Sequence, residues 1–304
     1  MLLVISVLSF GIYQMAPGDP VNAFIPLEAR DHPEEVARVR QMLGLDQPWY
    51  VQYAKWLGQV LQGNFGRSMI DNDLVSEKIL RVLPNTLQLT MTSFVVGFTL
   101  AVFVGVLSAV KRYSLADHLT TGFGFAGISI PSFWLGIMLM LLFAVNLKWL
   151  PATGRYTVGR EGDLLDLIKH MIMPVIVMSI NDIAGTSRYV RTSLLEVLRL
   201  DYIRSARAKG LSEKVVIFRH AMRNAMMPVI TLLGLSLPEF VGGALIVENL
   251  FGWPGMGRLT INAVFQNDYP VIMAANIMFA SLTVIGNLIA DVMYAVVDPR
   301  VRFS

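Results

Sequence analysis

The sequence predicts an all-α integral membrane protein with six transmembrane helices, and three observations carry that expectation. Hydrophobic residues make up 54% of the 304 residues, only 15% are charged, and the mean hydropathy is +0.56. A soluble domain carries about 25% charge. Apolar stretches recur along the chain, five of them near the ~20 residues that a bilayer core requires. Lys and Arg concentrate in alternate connections, as the positive-inside rule demands.

The six stretches are 1–16, 86–110, 123–147, 171–189, 225–247 and 271–297. The first is the shortest and lacks both a basic flank and a small-residue cleavage site, so a removed signal peptide is not expected. With both termini in the cytoplasm, the inner segments 109–118, 188–223 and 298–304 hold thirteen basic and five acidic residues. The outer segments hold twelve basic and fourteen acidic residues. A pI near 9.2 is therefore a topology signal, and nucleic-acid binding is not needed to explain it.

Residues 17–84 form the one sizeable extracytoplasmic segment. PGDP at 17–20 ends the first helix, because proline cannot continue one. HPEEVARVRQMLGL then predicts a short helix with Pro33, Glu34 and Glu35 in its first turn and Gly44 as its stop; Val36, Val39, Met42 and Leu43 share one face. WYVQYAKWLGQVL, from Trp49, is amphipathic and aromatic, suited to a membrane interface. GNFGRS at 63–68 predicts a turn. A segment this small buries little core alone and is expected to pack against the outer helix ends. Residues 85–297 hold the other five spans and the inner loop 192–223, and 298–304 form the tail.

Charge inside a span is the next signal. Asp182 lies mid-way along the fourth stretch, Glu239 mid-way along the fifth and Asp291 in the inner half of the sixth. A charged residue at a helix centre costs about 2.5–3.5 kcal/mol on insertion scales, so these should face the bundle interior or a wet cavity. Asn181, Asp182 and Glu239 are candidate pathway residues. Interhelical hydrogen bonding to Asn181, Asn276, Asn287 or Ser and Thr hydroxyls is the favoured competing explanation, most of all for Asp291. Glycines at 97, 105, 122, 124, 127, 242 and 243 mark places where helices can approach closely. The 17 methionines are scattered, the four histidines are far apart, and cysteine is absent, which removes disulfides and thiolate sites. No metal site is expected. Walker A, HExxH and GxSxG patterns are missing from the sequence, so no catalytic residue is assigned.

Between Arg188 and Arg223 stand nine basic and three acidic residues, and the stretch DYIRSARAKGLSEKVVIFRHAMRNAMMPVIT occupies 201–231. Gly210 can leave the right-handed helical region cheaply and so closes a first helix; Ser212 is expected to cap the next, with Glu213 in its first turn. An anionic-lipid contact would explain the charge alone. The helix–Gly–helix order, however, resembles the cytoplasmic coupling loop of ABC-transporter permeases. DYIRSARAKG followed by HAMRNAMMP is similar to the dipeptide/oligopeptide/nickel branch, the B-type subunit of Opp, Dpp and App systems. PGDP, LGLDQP, GNFGRS and the GWPGMG…DYP stretch at 252–270 resemble the same branch, so the likeness covers essentially the whole chain. Counting back from Gly210 places Arg204, Ser205 and Ala206 where the broader importer pattern has Glu-Ala-Ala, and Met222-Arg223 where it has Leu-Pro.

The resemblance implies a type I ABC importer permease fold and an alternating-access import of oligopeptides or dipeptides, with nickel chelates or glutathione-like compounds as alternatives. It implies that Asp201, Tyr202, Arg204, Ser205, Ala206, Arg207, Lys209, Gly210 and Leu211 dock an ATPase. The implied partners are a homologous second permease, two ABC ATPases that use ATP and Mg, and an extracytoplasmic peptide-binding protein. This chain itself would bind no cofactor and sit in membrane lipid of a prokaryotic plasma membrane. Phe251 and Trp253, flanking the sharp turn of the last outer loop, are candidates for an outer gate. An interfacial aromatic anchor is the competing explanation. A secondary transporter would instead carry an inverted repeat or paired intramembrane charges, and neither is evident. The resemblance also implies further residues ahead of Met1.

Overall fold

The computed structural model describes residues 1–15, 21, 32–42, 44–227, 229 and 244–297, with the side chains of 125, 290, 291 and 293–297 outside the description. The predicted fifth span, with Glu239, Gly242 and Gly243, falls largely outside the described residues, as do PGDP, the Asp291 side chain and the tail. The described chain is helical, with one isolated bridge between Arg67 and Leu74. Among the described residues three helices are long and apolar enough to cross a membrane, and a fourth candidate is a broken pair. The chain divides into two compact units.

The first unit comprises residues 1–84 and 255–282. It contains α1 (Leu2–Met15), α2 (Pro33–Met42), α3 (Trp49–Leu61), the first turns of α4 (Val75–Val110), α12 (Met256–Phe265) and the first half of α13 (Tyr269–Val297). Neither α2 nor α3 has a fully buried residue. The shared face of α2 is thus only half-covered at Val36 and Val39, and Met42 is exposed. Stability comes instead from Val75 and Ile79 packing with Met256, Ala263, Val271, Ala274 and Ala275. Phe10 of α1 lies 5.6 Å from the Tyr53 ring and 5.5 Å from Trp56, so the aromatic face of α3 is spent on α1. The predicted 63–68 turn forms with Gly63 and Gly66 at positive φ. Its end is clamped by buried Asp268, which accepts from Ser68 Oγ at 2.5 Å and the Met69 amide at 3.0 Å. Lys78 donates to the same Ser68 oxygen and pairs with Asp71 at 2.5 Å, which holds the Asp71 carboxyl below its ordinary range.

The second unit comprises residues 85–254 and 283 onward. It holds the rest of α4, α5 (Leu115–Ser129), α6 (Ser132–Leu139) extended by a π-helical turn at Met140–Asn146, and α7 (Leu164–Val197). Pro131 breaks the predicted third span into α5 and α6, because the residue before a proline is pushed out of the helical region. Helices in hydrocarbon gain little from burying apolar surface against each other, so close backbone approach has to supply the contact. Four glycines do this along α7. A Cβ at Gly97 would lie 3.3 Å from Ser179 and Asp182; one at Gly105 would lie 2.7 Å from the Ser187 carbonyl oxygen and from Val190. On α5, Gly127 faces Ile180 at 3.3 Å and Gly124 faces Ala184. Ser179 adds a hydrogen bond to the Ser93 carbonyl at 2.8 Å. Gly122 has nothing within 4 Å.

Gly105→Ala drives a methyl group into backbone that cannot yield cheaply, an overpacking cost of about 1–3 kcal/mol. The purified chain should lose several degrees of thermal stability in detergent, whereas Gly122→Ala should be neutral. Equal melting of the two variants would contradict the packing described.

Candidate functional site

Beyond α7 the polypeptide makes one turn at Leu198–Leu200 and enters α8 (Asp201–Ala208). Leu200 provides no side-chain cap, but Asp201 in the first turn suits the helix dipole. Two residues of α8, Ile203 and Ala206, point inward at i,i+3 spacing. They join Ala109, Leu194, Val197, Val216, Ala221 and Ala225 in one buried cluster. Asp201, Tyr202, Arg204, Ser205, Arg207, Lys209, Gly210 and Leu211 are exposed. The nine predicted loop residues are therefore brought onto one short element, with Ala206 as an inward anchor and the other eight on its outer surface.

Gly210 ends the helix at φ +75°, with its amide donating to the Arg207 carbonyl at 2.9 Å. Nothing lies within 4 Å of where its Cβ would stand, so the demand for glycine is conformational and not spatial. Ser212 takes the expected N-cap position, but its side chain makes no capping hydrogen bond. Arg207 closes the turn instead, donating from Nε and Nη2 to the two Glu213 carboxylate oxygens at 2.7 and 3.2 Å. That guanidinium holds the Glu213 carboxyl below its ordinary range. The second helix begins as α9 (Glu213–Val215), widens into a π-helical stretch at Val216–Ala221 and ends as α10 (Met222–Ala225). Asn224 of α10 donates to the Tyr202 hydroxyl at 2.7 Å, and Ser193 of α7 donates to the Ala225 carbonyl at 2.8 Å. The hairpin is thus tied to α7 by packing and hydrogen bonds together.

Sequence reasoning missed the anchor at its root. Arg191 on α7 grips Asp117 on α5 with two hydrogen bonds of 2.8 and 2.9 Å. Asp117 is buried and also accepts from Ser108 Oγ and the Tyr113 amide. The only sequence signal was an acid three residues after Ser114, which caps α5 by accepting from the Asp117 amide.

Asn181 is exposed and Asp182 half-buried on α7, where Gly97 gives Asp182 room. Phe251 and Trp253 follow α11 (Leu245–Leu250) and are both buried, at 2% and 0% exposure. Phe251 packs with Met173, Val177 and Val247; Trp253 packs with Leu89, Leu167, Met171 and Val175 and donates its indole N–H to the Asn85 carbonyl at 2.9 Å. Two further residues stabilise this corner. Thr86 donates to fully buried Glu248 at 2.6 Å, and Arg155 donates to Gln88 at 2.7 Å with its guanidinium 5.9 Å from the Trp253 ring. Among the described residues no three His, Asp or Glu side chains are placed to hold a metal ion.

Comparison with known proteins bears on this geometry. Residues 101–303 match the family described as binding-protein-dependent transport system inner membrane component, and residues 1–90 match the N-terminal family of such membrane components. The oligopeptide transport system permease protein AppB of Bacillus subtilis is 46% identical over 303 residues, covering 99% of this chain and 95% of that protein. The di/tripeptide permease DppB of Pseudomonas aeruginosa is 37% identical over 98% of this chain and 94% of its own length. The glutathione permease GsiC of Salmonella paratyphi A is 41% identical over 100% and 95%. A chain of the inward-facing MetNI methionine ABC transporter superposes with a TM-score of 0.57 at 17% identity, over 72% of this chain and 96% of that one. The fold is therefore that of a type I ABC importer permease.

Removing Arg191 leaves Asp117 buried without its cation, and breaking such a pair costs about 3 kcal/mol or more. Arg191→Ala should lower the melting temperature markedly and expose Arg199–Lys209 to protease, and Asp117→Asn in the same chain should restore most of the loss. The Arg207–Glu213 tie behaves differently with pH. A carboxyl with a depressed pKa contributes stability above its ordinary range and loses it as pH falls through the lower, folded value. Protease sensitivity of the hairpin should therefore be flat from pH 8 to pH 6 in the wild type.

Proposed function

The chain belongs to the binding-protein-dependent transport system inner membrane component family, and from that membership we propose that it conducts peptides under the control of an ATPase seated on α8. It is a multi-pass inner-membrane permease subunit of a binding-protein-dependent importer, a transport component with no catalytic role in ATP hydrolysis. Its family implies ATPase and substrate-binding partners.

The observation that carries the coupling proposal is the two-sided character of α8. Ile203 and Ala206 fix it to the end of α7, while Arg204, Ser205, Arg207, Lys209 and Leu211 face away. A helix held in this manner moves with α7 and cannot simply swing free of it. ATP, with Mg, would bind between two partner ATPases; their closure would draw two such helices together, one from this chain and one from a homologous second permease. The span containing Asn181 and Asp182 would then be rearranged, which suits a two-state element biased from outside. Asn181, Asp182 and Glu239 line the route in this scheme, offering weak polar contacts to a peptide whose selection is made by an extracytoplasmic binding protein. That protein would dock over residues 17–84 and 248–270, with both termini of the permease in the cytoplasm. An outer gate at Phe251 and Trp253 would move as a packed block, since neither side chain has freedom to rotate alone. Peptide cargo is favoured by the oligopeptide and di/tripeptide permeases among the relatives, with the glutathione permease marking the alternative.

The test is Gly210→Val in the assembled transporter. A β-branched residue at φ +75° is strained whatever the space around it. Uptake of a labelled tripeptide should fall at least tenfold with membrane abundance unchanged. Normal uptake would refute coupling through this turn. Uptake of glutathione but not of peptides by the wild type would refute the cargo.

A further inference from the structure

A second site of a different kind lies where α6 ends. The π-helical turn Met140–Asn146 is followed by Lys148 at φ +55°, a left-handed conformation that a long side chain rarely adopts. The strain is held by the Trp149 and Leu150 amides, which both donate to the Phe143 carbonyl, at 2.9 and 3.2 Å. A cavity of about 530 Å³ opens beside this corner, lined by Lys148, Trp149, Leu150, Arg160, Asp166 and Lys169 among others. Its volume lies within the range of small-molecule sites, about 300–1,000 Å³.

Three cations therefore converge on one cavity; among the described residues none of the three has an acidic partner within 4 Å, although Arg160 lies near enough to Asp166 to interact with its charge. The nearby acids are already committed. Asp166 is buried and accepts from the Thr157 amide at 2.6 Å and its hydroxyl at 2.8 Å; Asp163 caps α7 through the Leu165 amide; Glu161 accepts from the Gly159 amide. The lining thus carries three cations against one carboxylate, Asp166, which also lies 3.5 Å from His170. Its other flank is apolar and outward-facing. Leu142, Val145 and Trp149 are exposed at 46%, 56% and 66%, on the end of a candidate span. A cationic pocket continuous with an apolar belt and an interfacial tryptophan matches a molecule that is anionic at one end and hydrocarbon at the other.

We propose that the cavity between the end of α6 and the start of α7 binds the phosphate head group of an anionic glycerophospholipid, held by Lys148, Arg160 and Lys169, with its acyl chains along Leu142 and Val145. Trp149 sets the depth of the head group. Lys148 is kept in its strained conformation because that places its ammonium at the pocket while the following tryptophan stays at the interface. A lipid there would brace the 147–163 connection against α7. The site stands independently of the cargo and of the ATPase proposal.

The test uses the full chain in its transporter assembly, reconstituted in nanodiscs of phosphatidylglycerol and phosphatidylcholine, with retained lipid counted by native mass spectrometry after mild release. The wild type should retain phosphatidylglycerol selectively, and a Lys148→Gln, Arg160→Gln, Lys169→Gln chain should retain one molecule fewer. Affinity should fall about fivefold for each cation removed. A control with Arg38→Gln, Lys55→Gln and Arg81→Gln removes the same charge elsewhere and should retain phosphatidylglycerol like the wild type. Equal loss in the control, or undiminished retention in the triple variant, would overturn the assignment. Displacement of the lipid by millimolar inorganic phosphate alone would also overturn it, marking a site for free anions.

Discussion

Close contact between α7 and its two neighbours is the constraint on which the larger unit depends. In hydrocarbon a leucine gains nothing by leaving lipid for another leucine, so helices must find contact through shape. Gly97 and Gly105 let α4 lie against α7, and Gly124 and Gly127 do the same for α5. That geometry brings Ser179 to the Ser93 carbonyl and Arg191 to Asp117. The ion pair is a consequence of the packing and also its lock, because a buried carboxylate in the first turn of α5 tolerates no slippage that would separate it from its guanidinium.

The α8–α10 hairpin inherits its position from the same helix. α7 is continuous from Leu164 to Val197, so the residues that anchor α8 and those beside Gly97 belong to one rod. Pro174 inside it removes one backbone donor without ending the helix, a deviation that neighbouring helices make tolerable in a membrane protein. Because Ile203 and Ala206 pack with Leu194 and Val197, displacement of α8 is displacement of the end of α7. The π-helical stretch at Val216–Ala221 marks where the return path departs from regular geometry, a common feature at moving or functional segments.

The polar corner after α11 obeys a different logic. Trp253, Glu248, Thr86, Asn85 and Arg155 use hydrogen bonds and ring contacts to fix the loop to its neighbours, beyond the backbone bonds that the turn makes within itself. In the smaller unit, Asp268 performs the corresponding task for the 63–74 loop, through Ser68 and the Met69 amide. Both of these connections are held by a buried acid whose partner lies far along the chain.

The sequence by itself determined the class of the protein. Apolar runs, the charge pattern of alternate loops and the helix boundaries at Pro33, Gly44 and Gly210 are local facts of composition and backbone preference, and they can be read in one dimension; which of the candidate glycines meets a neighbour cannot, since Gly97, Gly105, Gly124 and Gly127 do and Gly122 does not. The two faces of α8 were not legible in that way either: Ala206, expected among the docking residues, turns inward with Ile203. What the tertiary structure alone decided were pairings across long separations: Arg191 with Asp117, Glu248 with Thr86, Asp268 with Ser68, and the burial of Phe251 and Trp253, which the sequence offers as surface aromatics. It also decided that Arg207 and not Ser212 secures the hairpin turn. A single sequence states which side chains are costly to bury, but the partner that offsets the cost is chosen by which helices touch, and that is set by shape in three dimensions.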